Sequence, residues 1–110
     1  GIAVSSGNSF VHETESQVIL NGSYNINFTM DLVLKDTGLF DDLAKKLNAP
    51  LEISPLVVDI FKDGQKKYGS KAWSSMIVKR MEDINKINFR ANGFPEELID
   101  NENEEIGYEI

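Results

Sequence analysis

The stretch that decides the fold is FTMDLVLKDTGLFDDLAKKL, at residues 28–47. Its apolar residues recur every three or four positions, which is the spacing of one face of an α-helix. Two adjacent stripes have this spacing. The first consists of Leu32, Asp36, Leu39, Leu43 and Leu47, and the second of Met30, Val33, Thr37, Phe40 and Ala44. Because two stripes make a wide apolar face, the pattern predicts a long helix over 29–48 that is central to the core.

Three further helices are predicted around this one. Residues 9–20 predict a short helix, which the Asn-Gly pair that follows would end. Ser54 precedes a proline and predicts the N-cap of a helix over 54–69. Gly64 inside that helix costs about 1 kcal/mol relative to alanine, so it predicts close packing against a neighbour. A last helix is predicted over 72–85, where a mainly apolar set of residues recurs at helical spacing: Trp73, Met76, Ile77, Arg80, Met81 and Ile84. Since no alternating strand pattern occurs, the predicted fold class is all-α.

The acidity of the chain is concentrated at its C-terminal end. The net charge is −7, and residues 96–110 hold seven of the 18 acidic residues and no lysine or arginine. A neutral helical body over 1–95 with an acidic tail over 96–110 argues against nucleic acid or an anionic membrane as a partner. One helical turn is predicted at 94–99, and the lack of periodicity over 100–110 predicts an irregular tail.

Composition excludes several kinds of site. The chain has no cysteine, so it has neither disulfides nor thiolate metal sites. His12 is the only histidine, which excludes a metal site with two imidazoles, and its acidic neighbours predict a surface position. No glycine-rich phosphate loop occurs, and neither does a membrane span or a signal peptide. We therefore expect a cytoplasmic protein with no metal site and no complete dinucleotide site in this chain.

One carboxylate stands out because it lies on an apolar stripe. Asp36 follows Leu32 by one helical turn, and a carboxylate in that place must be paired, hydrogen-bonded or facing a cleft. Lys35 is adjacent and Phe28 lies two turns earlier, so the three residues are candidates for one site. The structural alternative is that Lys35 pairs with Asp31 while Asp36 caps or bridges a neighbouring helix.

Residues 28–39, with the adjacent Lys35 and Asp36, resemble the start of the C-terminal domain of the β-hydroxyacid dehydrogenases, a family that includes 3-hydroxyisobutyrate dehydrogenase. The resemblance covers about residues 4–85. It continues through Leu43-Ala44, Leu47, Ala49-Pro50-Leu51 and the Ser74-Ser75 pair before Met76-Ile77, and it begins with the serine-rich turn at 5–9. This sequence departs from the family pattern at Thr37, which replaces a leucine, and at Phe40, which replaces an alanine. The resemblance implies a helical bundle of the 6-phosphogluconate dehydrogenase C-terminal type.

The resemblance also implies a function. The family has an N-terminal Rossmann domain that binds NAD or NADP and a catalytic lysine on the helix between the domains, and both would lie upstream of Gly1. This chain would then supply one wall of the cleft between the domains. Lys35 would contact the cofactor near its nicotinamide end, and Phe28 and Asp36 would face a small β-hydroxy acid substrate. We expect no catalytic residue and no activity in this chain alone, and assembly as a homodimer or a higher homo-oligomer.

A different class of function is also compatible with these residues. The chain could be a non-catalytic helical module for dimerisation or interaction. The dehydrogenase hypothesis requires Lys35 and Asp36 on a concave, accessible face. The interaction-module hypothesis places them in a surface salt bridge beside an exposed apolar patch.

Overall fold

The computed structural model describes residues 1–98 and residue 107. Over these residues the regular secondary structure is helical. The β structure there consists of two isolated bridges, so the all-α prediction is confirmed. Four α-helices are formed, and they are α1 (Phe10–Asn21), α2 (Met30–Lys46), α3 (Ile53–Tyr68) and α4 (Lys79–Asn85). Two short 3₁₀ helices, Ile2–Val4 and Ser74–Val78, precede α1 and α4. No helix among the described residues is long and apolar enough to cross a membrane.

Helix α1 confirms the helix predicted over 9–20. The Ser9 hydroxyl accepts a hydrogen bond from the His12 amide at 3.0 Å, which satisfies one of the free donors of the first turn. The helix ends at Gly22, whose φ of 94° is left-handed and therefore suits a residue without a Cβ. Both ends of α1 are thus set by local sequence.

Helix α2 confirms the helix predicted over 29–48, but the predicted burial holds for only part of it. Its start is fixed by the loop before the second 3₁₀ helix, because the amide of Met30 donates to the Ala72 carbonyl at 2.9 Å. Met30 is completely buried and Ala44 is nearly so. The prediction that the whole wide face lies in the core is wrong, because its large exposed side chains are Leu32, Leu39, Phe40, Leu43 and Leu47. Among the described residues α3 is the main helical neighbour of α2, and one helix covers only one side of another.

Helix α3 begins at Ile53, so the prediction of Ser54 as its N-cap is wrong. The Ser54 hydroxyl instead donates to the Asp41 carboxylate of α2 and ties the two helices together. Pro55 lies in the first turn, where its missing N–H removes no helical hydrogen bond. The predicted close packing at Gly64 is confirmed, because a Cβ there would lie 2.7 Å from Ile77 Cδ1 and 3.3 Å from Met30 Cε.

The helix predicted over 72–85 is only partly α-helical. Trp73 precedes it, residues Ser74–Val78 form a 3₁₀ helix, and only α4 has α geometry. Hydrogen bonds to other elements explain the irregular start, since the Ser74 amide donates to the Phe28 carbonyl at 2.8 Å and the Ser75 hydroxyl to the Tyr24 carbonyl at 2.6 Å. The predicted apolar face is also wrong in α4: Met81 and Ile84 are exposed, whereas Glu82 is 1% exposed.

The helical turn predicted at 94–99 is absent over the described part, residues 94–98. This segment is irregular, and Glu97 forms a parallel bridge with Asn25. Of the predicted acidic tail, residues 99–106 and 108–110 lie outside the described residues, so that prediction stays untested there.

Candidate functional site

The two charged residues of the candidate site, Lys35 and Asp36, lie on the surface of α2. Their side chains are 62% and 57% exposed, and Lys35 Nζ lies 3.4 Å from Asp36 Oδ1. The stripe that was expected to bury Asp36 is itself exposed at Leu32 and Leu39. Asp36 therefore needs no buried partner, and it neither caps nor bridges another helix among the hydrogen bonds and ion pairs of the described residues.

The alternative pairing of Lys35 with Asp31 is wrong. Lys71 Nζ lies 2.6 Å from Asp31 Oδ2, and Thr29 donates to the other carboxylate oxygen. These hydrogen bonds, the Lys71 one first, hold the pKa of the Asp31 carboxyl below its usual range. Because Asp31 is engaged at the start of α2, Lys35 keeps an accessible ammonium group whose one close acidic neighbour in the described structure is Asp36.

Phe28 lies in a different environment from the charged pair. It precedes Thr29, the N-cap of α2, and it borders a mainly apolar cleft of about 430 Å³ together with Val33. A residue before the N-cap that packs near the fourth helical residue is the arrangement of a hydrophobic staple, which fixes how the chain enters a helix. The remaining lining residues of the cleft are Val11, His12, Glu15, Ser16, Ile19, Phe61, Ser74, Ile77 and Val78.

The structure thus does not bring the three predicted residues into one cavity. Phe28 borders the cleft between α1, α2, α3 and the second 3₁₀ helix, while Lys35 and Asp36 lie outside its lining. Helical spacing places Leu32 and Asp36 along one side of α2, whereas Phe28 lies before the helix begins.

The wall of the cleft contains two polar residues of α1. His12 is half-buried there, so the predicted surface position holds only in part. Burial raises the pKa of the Glu15 carboxyl, which sequence reasoning did not single out. A usable signal existed, because Val11, Glu15 and Ile19 are four apart and share one face of α1. Within the described residues, no group of three or more histidines and carboxylates could hold a metal ion.

Comparisons with known proteins identify the family of this helical domain. Residues 1–81 match the family model described as NAD-binding of NADP-dependent 3-hydroxyisobutyrate dehydrogenase. The L-threonate dehydrogenases of Escherichia coli K12, Haemophilus influenzae and Pectobacterium atrosepticum are each 29% identical to the chain over 73 residues. This alignment covers 66% of the chain and 24% of each relative, so the chain spans about a quarter of the length of these relatives. No solved structure matches the chain. Since the family match covers all of α1, α2 and α3, the chain belongs to the NAD-binding family of the 3-hydroxyisobutyrate dehydrogenases.

Proposed function

We propose that this chain forms the helical wall of the cofactor and substrate cleft of an NAD(P)-dependent dehydrogenase that acts on a small β-hydroxy acid. The observation that carries the proposal is the accessible Lys35–Asp36 pair on α2, within the residues that match the NAD-binding family. A Rossmann domain would cover this face and supply the phosphate-binding loop. The names of the L-threonate dehydrogenases support a hydroxy acid as the substrate class.

Each residue has a physical role in this proposal. Lys35 donates hydrogen bonds to cofactor oxygens near the nicotinamide end, and its charge suits a ribose hydroxyl or a carboxylate. Asp36, 3.4 Å away, orients that ammonium group or a substrate hydroxyl. Phe28, which is 36% exposed at the mouth of the cleft, helps to exclude water from the path of the hydride. The cofactor supplies the hydride chemistry.

The residues present fit an edge contact with the dinucleotide better than a complete binding site. Lys35 lies in the second turn of α2, beyond the free amides of the first turn that could bind phosphate groups. The chain also lacks a glycine-rich phosphate loop. We therefore expect the isolated 110 residues to have no dehydrogenase activity and no submicromolar affinity for NAD or NADP, which calorimetric titration would test.

A matched pair of lysine variants tests the cofactor role. In the complete protein that contains this chain, Lys35→Ala should raise the KM for the dinucleotide about ten- to a hundredfold, as expected for a lost hydrogen bond from a charged group. Lys45→Ala is the control, because Lys45 is on the same helix, is 78% exposed and pairs with Asp42 at 3.8 Å. Equal kinetics in the two variants would contradict the role, and a large fall in Tm for Lys35→Ala alone would favour a structural one.

A second candidate function, dimerisation, has its own supporting observation. An apolar ridge runs along α2 and onto the start of α3, and its exposed members are Leu39, Phe40, Leu43, Leu47, Ile53 and Leu56. A contiguous exposed apolar surface of this kind is typical of an interface. We propose that this ridge supports a homodimer, closed by two-fold symmetry.

A further inference from the structure

The segment at 86–98 crosses the C-terminal end of α1, and we call it the strap. It has no regular secondary structure, and it lies beyond residues 1–81 that match the family. Its hydrogen bonds nevertheless reach across the chain. The Ala91 amide donates to the Leu20 carbonyl at 3.0 Å, and the Asn21 side-chain amide donates to the Phe94 carbonyl at 3.0 Å. The strap is therefore part of the folded domain.

Glu82 of α4 holds the near end of the strap. Its carboxylate is 1% exposed and accepts hydrogen bonds from the Tyr24 hydroxyl, from the Phe89 amide at 2.9 Å and from Arg90 at 2.8 Å. Burial alone would raise the pKa of Glu82, but these three hydrogen bonds together hold it below its usual range. A buried carboxylate with a cation and two further donors has its hydrogen bonds satisfied. The loss of one partner would leave a buried negative charge that is not fully compensated.

Arg90 joins the strap to the end of α1. Its guanidinium donates to the Ile19 carbonyl at 3.3 Å and to the Tyr24 hydroxyl at 2.8 Å, and it lies 5.1 Å from the centre of the Tyr24 ring. A cation at this end of a helix is favourable, because the last carbonyls carry negative partial charge. Gly22 makes room for it, since a Cβ there would lie 2.5 Å from Arg90 Nε.

The strap also contacts the loop at 22–29, which leads from α1 to α2. The Ser23 hydroxyl donates to the Glu96 carbonyl, and Asn25 is bridged to Glu97. Tyr24 and Asn27 in this loop both have a φ of 55°, a conformation that is unfavourable for residues with a side chain. Such a loop needs outside contacts to hold it in one conformation, and the strap supplies them.

We infer that the strap is a clamp that fixes the loop at 22–29, with Glu82 and Arg90 as its positioning residues. When the carboxylate of Glu82 is neutralised or the guanidinium is removed, the strap leaves the loop while α2 and α3 stay folded. This inference goes beyond the proposed cofactor role and does not depend on it, because the clamp acts on the loop whatever Phe28 contacts.

The charged groups around Glu82 define how the clamp responds to pH. Arg90 and Tyr24 face the carboxylate from the strap and the loop. On α4 itself, Lys79 and Asp83 pair with each other at 3.2 Å instead. The folded protein holds the pKa of Glu82 below its usual range. The clamp therefore stabilises the fold at pH values above the usual pKa of glutamate, and this stability is lost as the pH falls through the pKa of Glu82 in the folded state. Arg90 stays charged throughout.

The only tryptophan of the chain reports on the clamp. Trp73 borders a polar pocket of about 390 Å³ together with Asn25, Ile26, Asn27, Glu97 and Leu98, so the strap and the loop meet beside the indole. Release of the strap should expose the indole to water. Acrylamide quenching of Trp73 fluorescence therefore reports strap release, and amide hydrogen exchange at Tyr24, Phe89 and Ala91 reports the same event residue by residue.

The test uses the full 110-residue chain with Glu82→Gln and Arg90→Ala, and with Asp83→Asn as the matched control on the same helix. We expect at least tenfold faster exchange at Phe89 and Ala91 and stronger Trp73 quenching in both test variants, with α3 amides unchanged. Asp83→Asn should match the wild type.

In the wild type, quenching of Trp73 fluorescence should rise in acid before α3 opens, and Glu82→Gln should lack this early step. Arg90 is half-exposed, so its variant remains informative if Glu82→Gln does not fold. Unchanged exchange in Arg90→Ala, or α3 opening together with the strap, would overturn the clamp.

Discussion

Two glycines within helices should respond differently to the same substitution by alanine. Gly38 lies in α2 and Gly64 in α3. A Cβ built on Gly38 has no atom within 4 Å, whereas a Cβ on Gly64 lies 2.7 Å from Ile77 Cδ1 and 3.3 Å from both Met30 Cε and Met30 Sδ. The two positions therefore differ in the space around the added methyl group.

The expected magnitudes follow from this difference. Alanine is favoured over glycine inside a helix by about 1 kcal/mol, and this gain applies at both positions. At Gly64 the methyl group also overpacks the contact between α3, α2 and the second 3₁₀ helix, which typically costs about 1–3 kcal/mol. Met30 is completely buried and has little room to move, although Ile77 borders an open cleft. Gly38→Ala should thus raise the free energy of unfolding by about 1 kcal/mol. The free energy of unfolding of Gly64→Ala should be about 1–3 kcal/mol below that of Gly38→Ala.

Urea unfolding of the 110-residue chain, followed by circular dichroism, measures both values on one scale. A shift of the midpoint without a change in slope would show that stability alone has changed. The reasoning would be refuted if Gly64→Ala stabilised the chain as much as Gly38→Ala does. That result would mean that the close approach of α3 to Met30 is not a tight contact, and that Gly64 has no packing role.

Three other predictions concern the ends of α1, an alkaline titration and assembly. Ser9→Ala removes the acceptor for the His12 amide and should lower the free energy of unfolding by about 1 kcal/mol in the same urea assay. Burial first, and then the hydrogen bond to Asp83, raises the pKa of Tyr68 to about 12. Since the folded state keeps a proton that the unfolded state releases near its ordinary pKa, stability should fall as the pH rises toward 12, and Tyr68→Phe should weaken this dependence. Light scattering at several concentrations should show a dimer that Leu43→Glu converts to a monomer; a wild type that stays monomeric at high concentration would rule out the ridge as an interface.

Sequence reasoning identified the helices because the relevant signals are local. The Asn21-Gly22 turn signal and the periodicity of α2 act within a few residues, and both predictions were correct. Ser54 was misassigned because its preference for an N-cap is weaker than a hydrogen bond to Asp41, which is 13 positions away. Boundaries that depend on contacts between elements are not encoded in a local window.

The candidate site shows a second limit of the same kind. The adjacent Lys35 and Asp36 could be found from the motif, but their exposure depends on which elements cover α2. Periodicity marks a face as apolar without saying whether anything packs on it. The polar wall formed by His12 and Glu15 was missed because acidic neighbours in the sequence suggested a solvent-exposed face.

The exposure of the side chains in α4 departs from the helical wheel expected over 72–85. Successive residues turn by about 120° in a 3₁₀ helix and by about 100° in an α-helix, which follows from 3.0 and 3.6 residues per turn. The 3₁₀ helix Ser74–Val78 has 5 residues, so by its end the chain has turned about 100° further than a continuous α-helix would, which equals one residue position. A single helical wheel drawn over 72–85 therefore misplaces the faces of α4, in which Glu82 is 1% exposed and Met81 is 50% exposed. A carboxylate turned inward requires a cation and hydrogen-bond donors, and Arg90 and Tyr24 provide them. The strap therefore completes the fold of α4, because its Phe89 amide and Arg90 guanidinium satisfy the carboxylate that α4 buries.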